Sequence, residues 1–322
     1  MKISVIIPTV GRPDDLRTCL RAVAANTRLP DEVIIIEQGD IQKTTSVAEA
    51  FSETFPITVI FHHEKSLTQA RNRGLAKSAG DIIVFVDDDV VIAPSYIKIA
   101  HDYFAAHPDV LGIVGRDTLH PRTSGPTSFI RRALSALFCG SSFFGASRIR
   151  RSGYNILQNF REREETVEWL SGNACWRRQV FDESFRYNEN FIRWAVTEDA
   201  LFSYRVHKKH PGSLRYIPEL QFEHHVSETA RLPSAQAIRM KIIYKYIFWK
   251  SEVYNNSPLN FLCWLWAQVG MFLQDSLKVR RIFVIREFIC TYVYLARHYR
   301  NIDKDEADYN AWIVKRNKPK ST

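Results

Sequence analysis

The chain has 322 residues, 45% of them hydrophobic and 25% charged, which excludes a largely disordered protein and allows one large domain or two small ones. Its five cysteines (Cys19, Cys139, Cys175, Cys263, Cys290) are scattered without a C-x-x-C pair, which argues against a zinc site or disulfide framework and favours a reducing compartment. The net charge of +9 is localised: residues 1–230 hold 28 Lys+Arg and 28 Asp+Glu, whereas residues 231–322 hold 16 and 7.

The run Ile3–Pro8 after Lys2 is too short for a signal-peptide core and is broken by proline, so it is expected to be a first strand in a chain that stays in the cytoplasm. Pro13 suits the first turn of a helix, Asp14 and Asp15 favour its positive end, and Leu16, Cys19, Leu20 and Val23 follow at helical spacing. Val33–Ile36 and Ile57–Phe61 are expected strands. Ser66 can cap a helix running to about Ser78, with Gly80 suited to a left-handed termination. Ile82–Val86 is continuously apolar, as a strand covered on both faces should be. The pattern is α/β, a mostly parallel Rossmann-like sheet flanked by helices.

Residues 121–165 are richer in Gly, Ser, Pro and Arg, with a helical rhythm only at Phe129–Phe138, and are expected to form an excursion over the active face. Regular signals resume at Trp169–Phe181, then a helix near Glu198–Lys208, a strand at Leu214–Phe222, and helical, aromatic-rich sequence from Ala235 onward.

The strongest chemical signal is Ile82–Val86 running into Asp87-Asp88-Asp89. Ligands of open α/β sheets bind at the C-terminal ends of the strands. Three adjacent carboxylates repel one another there, and a hard divalent cation such as Mg²⁺ or Mn²⁺ relieves that repulsion. The alternative is an acidic turn in water.

Val5-Ile6-Ile7-Pro8-Thr9, Val33–Glu37, Ala70-Arg71-Asn72-Arg73-Gly74-Leu75 and the triple aspartate, in this order and spacing, resemble family 2 glycosyltransferases of the GT-A fold, over roughly residues 1–230. The resemblance implies a catalytic domain at 1–230, with a nucleotide-sugar half (1–120) and an acceptor half (121–230), followed by a basic helical extension at 231–322. It implies a UDP- or dTDP-linked sugar as donor and a surface glycan or lipid-linked saccharide as acceptor. Pro8 and Thr9 would line the base pocket, and Glu37 stands where the family reads uracil or thymine, although Gln38 replaces a second acidic residue. Arg71 would contact the nucleotide, Asp87 and Asp88 the ribose and sugar, and Asp89 the metal.

On the acceptor side, Trp169-Leu170-Ser171-Gly172-Asn173-Ala174 resembles the family's sugar-pocket segment, with Trp169 as an aromatic platform or as core. Thr197-Glu198-Asp199 opens a helix where inverting members carry the general base, so Asp199 would take the acceptor proton with Glu198 beside it. Phe222-Glu223-His224-His225 ends a strand where a histidine closes the metal site; His224 fits better, with His225 as the alternative.

A haloacid-dehalogenase-like phosphatase also places Asp-x-Asp after a strand, but that motif normally opens its domain. A dinucleotide oxidoreductase would need G-x-G-x-x-G where this chain has Pro8-Thr9-Val10-Gly11-Arg12. A non-catalytic sugar-nucleotide-binding relative is the third alternative.

The apolar run Leu259–Leu273 is too short to span a bilayer, and Ile282–Ala296 is interrupted by Arg286-Glu287. Their Trp, Phe and Tyr lie beside Lys278, Arg280, Arg281, Arg297 and Arg300, the composition of helices in a membrane interface. Peripheral attachment to the cytoplasmic face of an anionic membrane is therefore expected, and nucleic acid is not, since it gives no reason for the aliphatic surface. A packed helical subdomain or a dimer interface is the alternative.

Overall fold

The computed structural model describes residues 1–119, 133, 136–138, 148–155, 162–225, 234–278, 282–302 and 306–314. The expected excursion over 121–165, including most of Phe129–Phe138, lies largely outside the described residues.

The first half alternates strand and helix: β1 (Ile3–Thr9), α1 (Pro13–Ala24), β2 (Glu32–Glu37), α2 (Ile41–Glu49), β3 (Ile57–Phe61), α3 (Leu67–Lys77) and β4 (Ile82–Phe85). The four strands run parallel in the order β3-β2-β1-β4. Successive strand side chains face opposite ways, so one apolar run feeds two cores. Val5, Ile7, Val33, Ile35 and Val84 join the α1 stripe of Leu16, Cys19, Leu20 and Val23. Ile6, Ile83 and Phe85 face the other way, with Leu75 of α3. Each fully buried Val, Leu, Ile or Phe contributes about 1.5–3 kcal/mol, so this double coverage fixes the strand ends that carry the site.

Ser66 caps α3 as expected, its hydroxyl accepting from the Gln69 N–H. Gly80 is a correction, since it is absent from the left-handed positions and the helix ends in extended backbone at Ser78. Glycine is required there by close approach instead: a Cβ would lie 2.6 Å from the Ser4 nitrogen.

After β4 the chain turns through the aspartates into β5 (Val90–Ile92), α4 (Tyr96–Ala106) and β6 (Gly112–Asp117). Then follow β7 (Glu165–Thr166), β8 (Ala174–Arg177), α5 (Gln179–Asp182), α6 (Glu198–Lys209) and the long β9 (Leu214–His224). The sheet continues β4-β8-β6-β9-β5, with β7 on β9; β8 is antiparallel to β4 and β6, and β9 antiparallel to β5. The parallel half of the sheet thus carries Pro8, Thr9, Glu37 and the aspartates at its strand ends, and the mixed half carries His224.

Beyond the sheet come α7 (Ser234–Phe248), a π-helical turn (Trp249–Val253), α8 (Pro258–Lys278), α9 (Ile282–His298) and α10 (Glu306–Val314). Met240, Tyr244, Phe248, Trp249 and Trp264 share a core with Phe191 and with Ala200 and Leu201 of α6. A buried Arg239–Glu287 pair, 2.7 Å, ties α7 to α9. Among the described residues no helix is long and apolar enough to cross a membrane.

Candidate active site

The aspartates form the turn between β4 and β5, at the C-terminal edge of the parallel strands. Val90 of β5 pairs with His224 of β9, which brings the imidazole to the turn. His224 Nε2 lies 3.2 Å from Asp89 Oδ1, and that contact raises the imidazole's pKa. Residues two apart on a strand share a face, so His225 points away with Glu223, to which it bonds at 2.9 Å. Strand alternation therefore selects His224 over His225.

One ligand atom each from Asp87, Asp89 and His224 lie within 4.8 Å of one another. Two carboxylate oxygens and one imidazole suit Mg²⁺ or Mn²⁺, with water and diphosphate oxygens able to complete the shell. Asp87 thus stands with Asp89 and His224 in one candidate cation site.

Asp88 turns inward, correcting the expectation that it faces a ribose or sugar. It accepts from the Thr9 hydroxyl at 2.6 Å and pairs with Arg12 Nη2 at 2.6 Å. Burial pushes its carboxyl up to about 7, against the opposing pull of Arg12. Arg12 also reaches Asp89, at 3.4 Å, and is the counter-charge of the cluster that sequence reasoning missed. Its only signal was its place directly after the first strand.

Arg71, 1% exposed, projects from α3 beneath the cluster. Nη1 donates to Glu198 at 2.7 Å and Nη2 to Asp87 at 3.1 Å, and the guanidinium lies over the Tyr187 ring, 5.2 Å from its centroid. Burial alone would lower its pKa, but the surrounding carboxylates leave it above its ordinary value. Asn72, also missed, exchanges hydrogen bonds with the Tyr187 backbone and fastens α3 to the segment before α6.

Gly172 is needed for this arrangement, because a Cβ there would sit 2.5 Å from Arg71 Nη2. Gly172→Ala is expected to cost about 1–3 kcal/mol of stability, as overpacking typically does, measurable by thermal denaturation. Asn173 accepts the Asp87 backbone N–H at 2.8 Å, which orients the first aspartate. Trp169 is 4% exposed and packed with Phe191 and Leu201. Its open alternative resolves to core: the ring faces hydrophobic neighbours and offers no platform to a sugar.

Arg193, Ala195 and Thr197 all take left-handed backbone just before α6, a strained stretch for non-glycine residues of the kind that collects at functional sites. Hydrogen bonds from Ser66 and Thr68 to the Phe191 carbonyl hold its start. Glu198 and Asp199 follow this stretch in different surroundings. Glu198 is buried against Arg71, whereas Asp199 is half-buried and accepts the Ala200 N–H at 2.7 Å. Burial pushes both carboxyls upward, with Asp199 adding to the effect on Glu198.

Pro8 and Thr9 end β1 beside Glu37 at the end of β2. Glu37 is fully buried; one oxygen accepts from the Gly11 N–H at 2.9 Å and from the Gly39 N–H, and the other from the Thr44 hydroxyl. Its carboxylate is engaged with the protein on both oxygens, which corrects the expectation that it reads a base directly. Gln38 is likewise occupied, accepting the Ser66 N–H at 2.6 Å.

A family model described as glycosyl transferase family 2 matches residues 4–185, more than half the chain. The chain belongs to glycosyl transferase family 2. The phosphatase reading is set aside by that membership and by the three parallel strands that precede the aspartates. Among family relatives, the uncharacterized glycosyltransferase YibD of Escherichia coli is 34% identical over 95 residues, 29% of this chain and 28% of that one. The O-antigen biosynthesis protein RfbC of Myxococcus xanthus is 27% identical over 196 residues, 59% of this chain and 15% of that one. The O-antigen chain rhamnosyltransferase RfbN of Salmonella typhimurium is 25% identical over 195 residues, covering 60% and 57%. Each match spans less than two thirds of the relative's own length.

Among solved structures, S. aureus TarS 1-349 in complex with UDP-GlcNAc aligns at TM-score 0.59 and 15% identity, covering 97% of this chain and 91% of that one. The mannosyltransferase PcManGT from Pyrobaculum calidifontis, in complex with GDP-Man and Mn²⁺, aligns at 0.54 and 13%, covering 98% and 86%. At these identities the likeness shows the fold, which is GT-A.

Proposed function

We propose that this family 2 member is a metal-dependent, inverting glycosyltransferase moving a hexosyl or deoxyhexosyl group from a nucleotide diphosphate to an acceptor hydroxyl. The observation that carries the reading is the Asp87, Asp89 and His224 cluster, joined through the buried Arg71, which pairs with Asp87 and Glu198, to the start of α6 where Asp199 stands. The related folds solved in complex with UDP-GlcNAc and with GDP-Man and Mn²⁺ support a sugar-nucleotide donor and a divalent ion, and the O-antigen relatives support a glycan or lipid-linked saccharide acceptor.

Pro8 and Thr9, buried at the end of β1 with the Thr9 hydroxyl on Asp88, support the base side of the donor site from beneath, with a UDP- or dTDP-linked sugar favoured, and Glu37 acts as a positioning residue by fixing the Gly11 and Gly39 backbone. Asp87, Asp89 and His224 would hold the ion, which when bound would supply counter-charge to the diphosphate leaving group. Arg12 and Arg71 add fixed positive charge on the same side. Gly172 and Asn173 shape the sugar side.

Asp199 receives the proton of the acceptor hydroxyl. Its partial exposure leaves it reachable, and its raised pKa moves it towards the pH at which a base works best. Glu198, spent on Arg71, keeps that guanidinium in place. The oxygen attacks the anomeric carbon from the face opposite the diphosphate, inverting the centre. Reaction on the cytoplasmic face of a membrane suits a lipid-linked acceptor.

Asp89→Asn is expected to abolish metal-dependent donor binding while the thermal melt stays close to that of the wild type. Donor binding and turnover that persist in excess EDTA would refute the metal assignment. Saturable donor binding with neither transfer nor hydrolysis, across a panel of acceptors, would make the protein a sugar-nucleotide-binding relative instead.

A further inference from the structure

Helices α8 and α9 pair antiparallel, with Phe272 against Phe288 at 5.5 Å between ring centroids and Tyr292 donating to Gln268 at 2.9 Å. Trp264, Ala267 and Met271 of α8, and Phe288 and Leu295 of α9, point into the core. At 3.6 residues per turn the opposite face of α8 carries Leu262, Leu265, Trp266 and Val269, exposed by 43–60%. On α9 the outward face carries Ile285, Ile289 and Val293, exposed by 40–57%. Because the helices lie side by side, these faces form one apolar surface, edged on the α8 side by Phe138, which packs on Gly270 and lies 5.0 Å from the Trp266 ring. Leu137, 60% exposed, extends it, since its carbonyl accepts the Trp266 indole N–H at 2.7 Å.

Singly exposed apolar residues need no explanation, but a contiguous surface on two helices does. The charge around it identifies what covers it. From 258 to 302 the sequence carries Lys278, Arg280, Arg281, Arg286, Arg297 and Arg300 against Asp275 and Glu287. Glu287 is buried against Arg239 and contributes no surface charge. Arg286 and Arg297 are exposed on α9 beside the apolar face, Arg300 follows its end, and Lys278 closes α8. An apolar strip with aromatic residues, bracketed at both ends by bases, matches a bilayer interface, where acyl chains lie under anionic headgroups. A spanning role is unsupported among the described helices.

We propose that the outer face of α8 and α9 docks on an anionic lipid surface with both helix axes in the membrane plane. This goes beyond the transfer reaction and stands or falls independently of it. The partner is the bilayer itself, recognised by buried aliphatic area together with headgroup charge.

The full chain would be sedimented with vesicles of phosphatidylcholine alone and with 30% phosphatidylglycerol, about a third anionic lipid, across a salt series. Binding is expected to anionic vesicles at low salt and to fall as salt rises. Arg297→Ser and Arg300→Ser should each weaken it about fivefold, the effect of one interfacial base. Ile289→Glu combined with Leu262→Glu should weaken it more than tenfold with an unchanged far-UV spectrum, because both side chains face outward. Gel filtration with light scattering on the same proteins supplies the control. No vesicle binding by the folded wild type overturns the proposal. So does an oligomer in lipid-free buffer that the Glu variants convert to monomer without any vesicle binding, which would make the surface a contact between copies.

Discussion

Asp199→Asn is expected to lower turnover by roughly 10²–10⁴-fold, the range lost when a positioned general base is removed, with donor affinity little changed. The expectation follows from the division of labour at the start of α6. Glu198 is locked to Arg71 at 2.7 Å and is not free to receive a proton from an acceptor. Asp199 accepts from the Ala200 N–H and retains accessible surface. Asparagine preserves the shape and that hydrogen bond to the backbone while removing basicity. Steady-state kinetics with donor titration separates the alternatives. A collapse of donor affinity with turnover surviving at saturating donor would show that Asp199 binds the donor instead.

Arg71→Met should have the largest effect on stability. It leaves the Glu198 carboxylate buried without its counter-charge, and breaking such a pair typically costs about 3–5 kcal/mol. The loss of the stacked contact with Tyr187 adds to it. Adding Glu198→Gln to Arg71→Met should recover part of that stability, because the stranded charge is gone. A double-mutant cycle in urea, read by two optical probes, measures the coupling. Additive effects of the two substitutions would mean that the pair is not coupled as the geometry implies.

The parallel half of the fold was legible because its signals are local. Apolar runs such as Ile82–Phe85 and the α1 stripe announce burial within a few residues, and the Ser66 cap lies beside the helix it starts. The aspartate cluster was legible for the same reason. What escaped depends on distance in sequence. Arg12 meets Asp88 across 76 positions, Arg71 meets Glu198 across 127, and Asn72 fastens a backbone 115 residues away. Spacing cannot reveal such pairs before the sheet order is known. Glu37 illustrates a second reason, since residue type suggests a ligand contact but only geometry shows both oxygens accepting internal hydrogen bonds. The left-handed stretch at Arg193–Thr197 carries no glycine signal at all, because surrounding packing imposes the conformation. Trp169 was ambiguous between core and platform until its neighbours from α6 and the C-terminal helices were in place. The choice between His224 and His225 needed the pairing of β5 with β9.

The central claim is that the Asp87–Asp89–His224 cluster and Asp199 together transfer a sugar from a nucleotide diphosphate. The most direct measurement incubates the purified 322-residue chain with a panel of UDP-, dTDP- and GDP-sugars and Mg²⁺ or Mn²⁺, scoring nucleotide diphosphate release with and without EDTA. Wild type, Asp89→Asn and Asp199→Asn are run in parallel. Metal-dependent release from at least one donor, lost in Asp89→Asn and strongly reduced in Asp199→Asn, is the predicted result. Release that ignores EDTA and survives both substitutions would contradict the assignment of chemistry to this site.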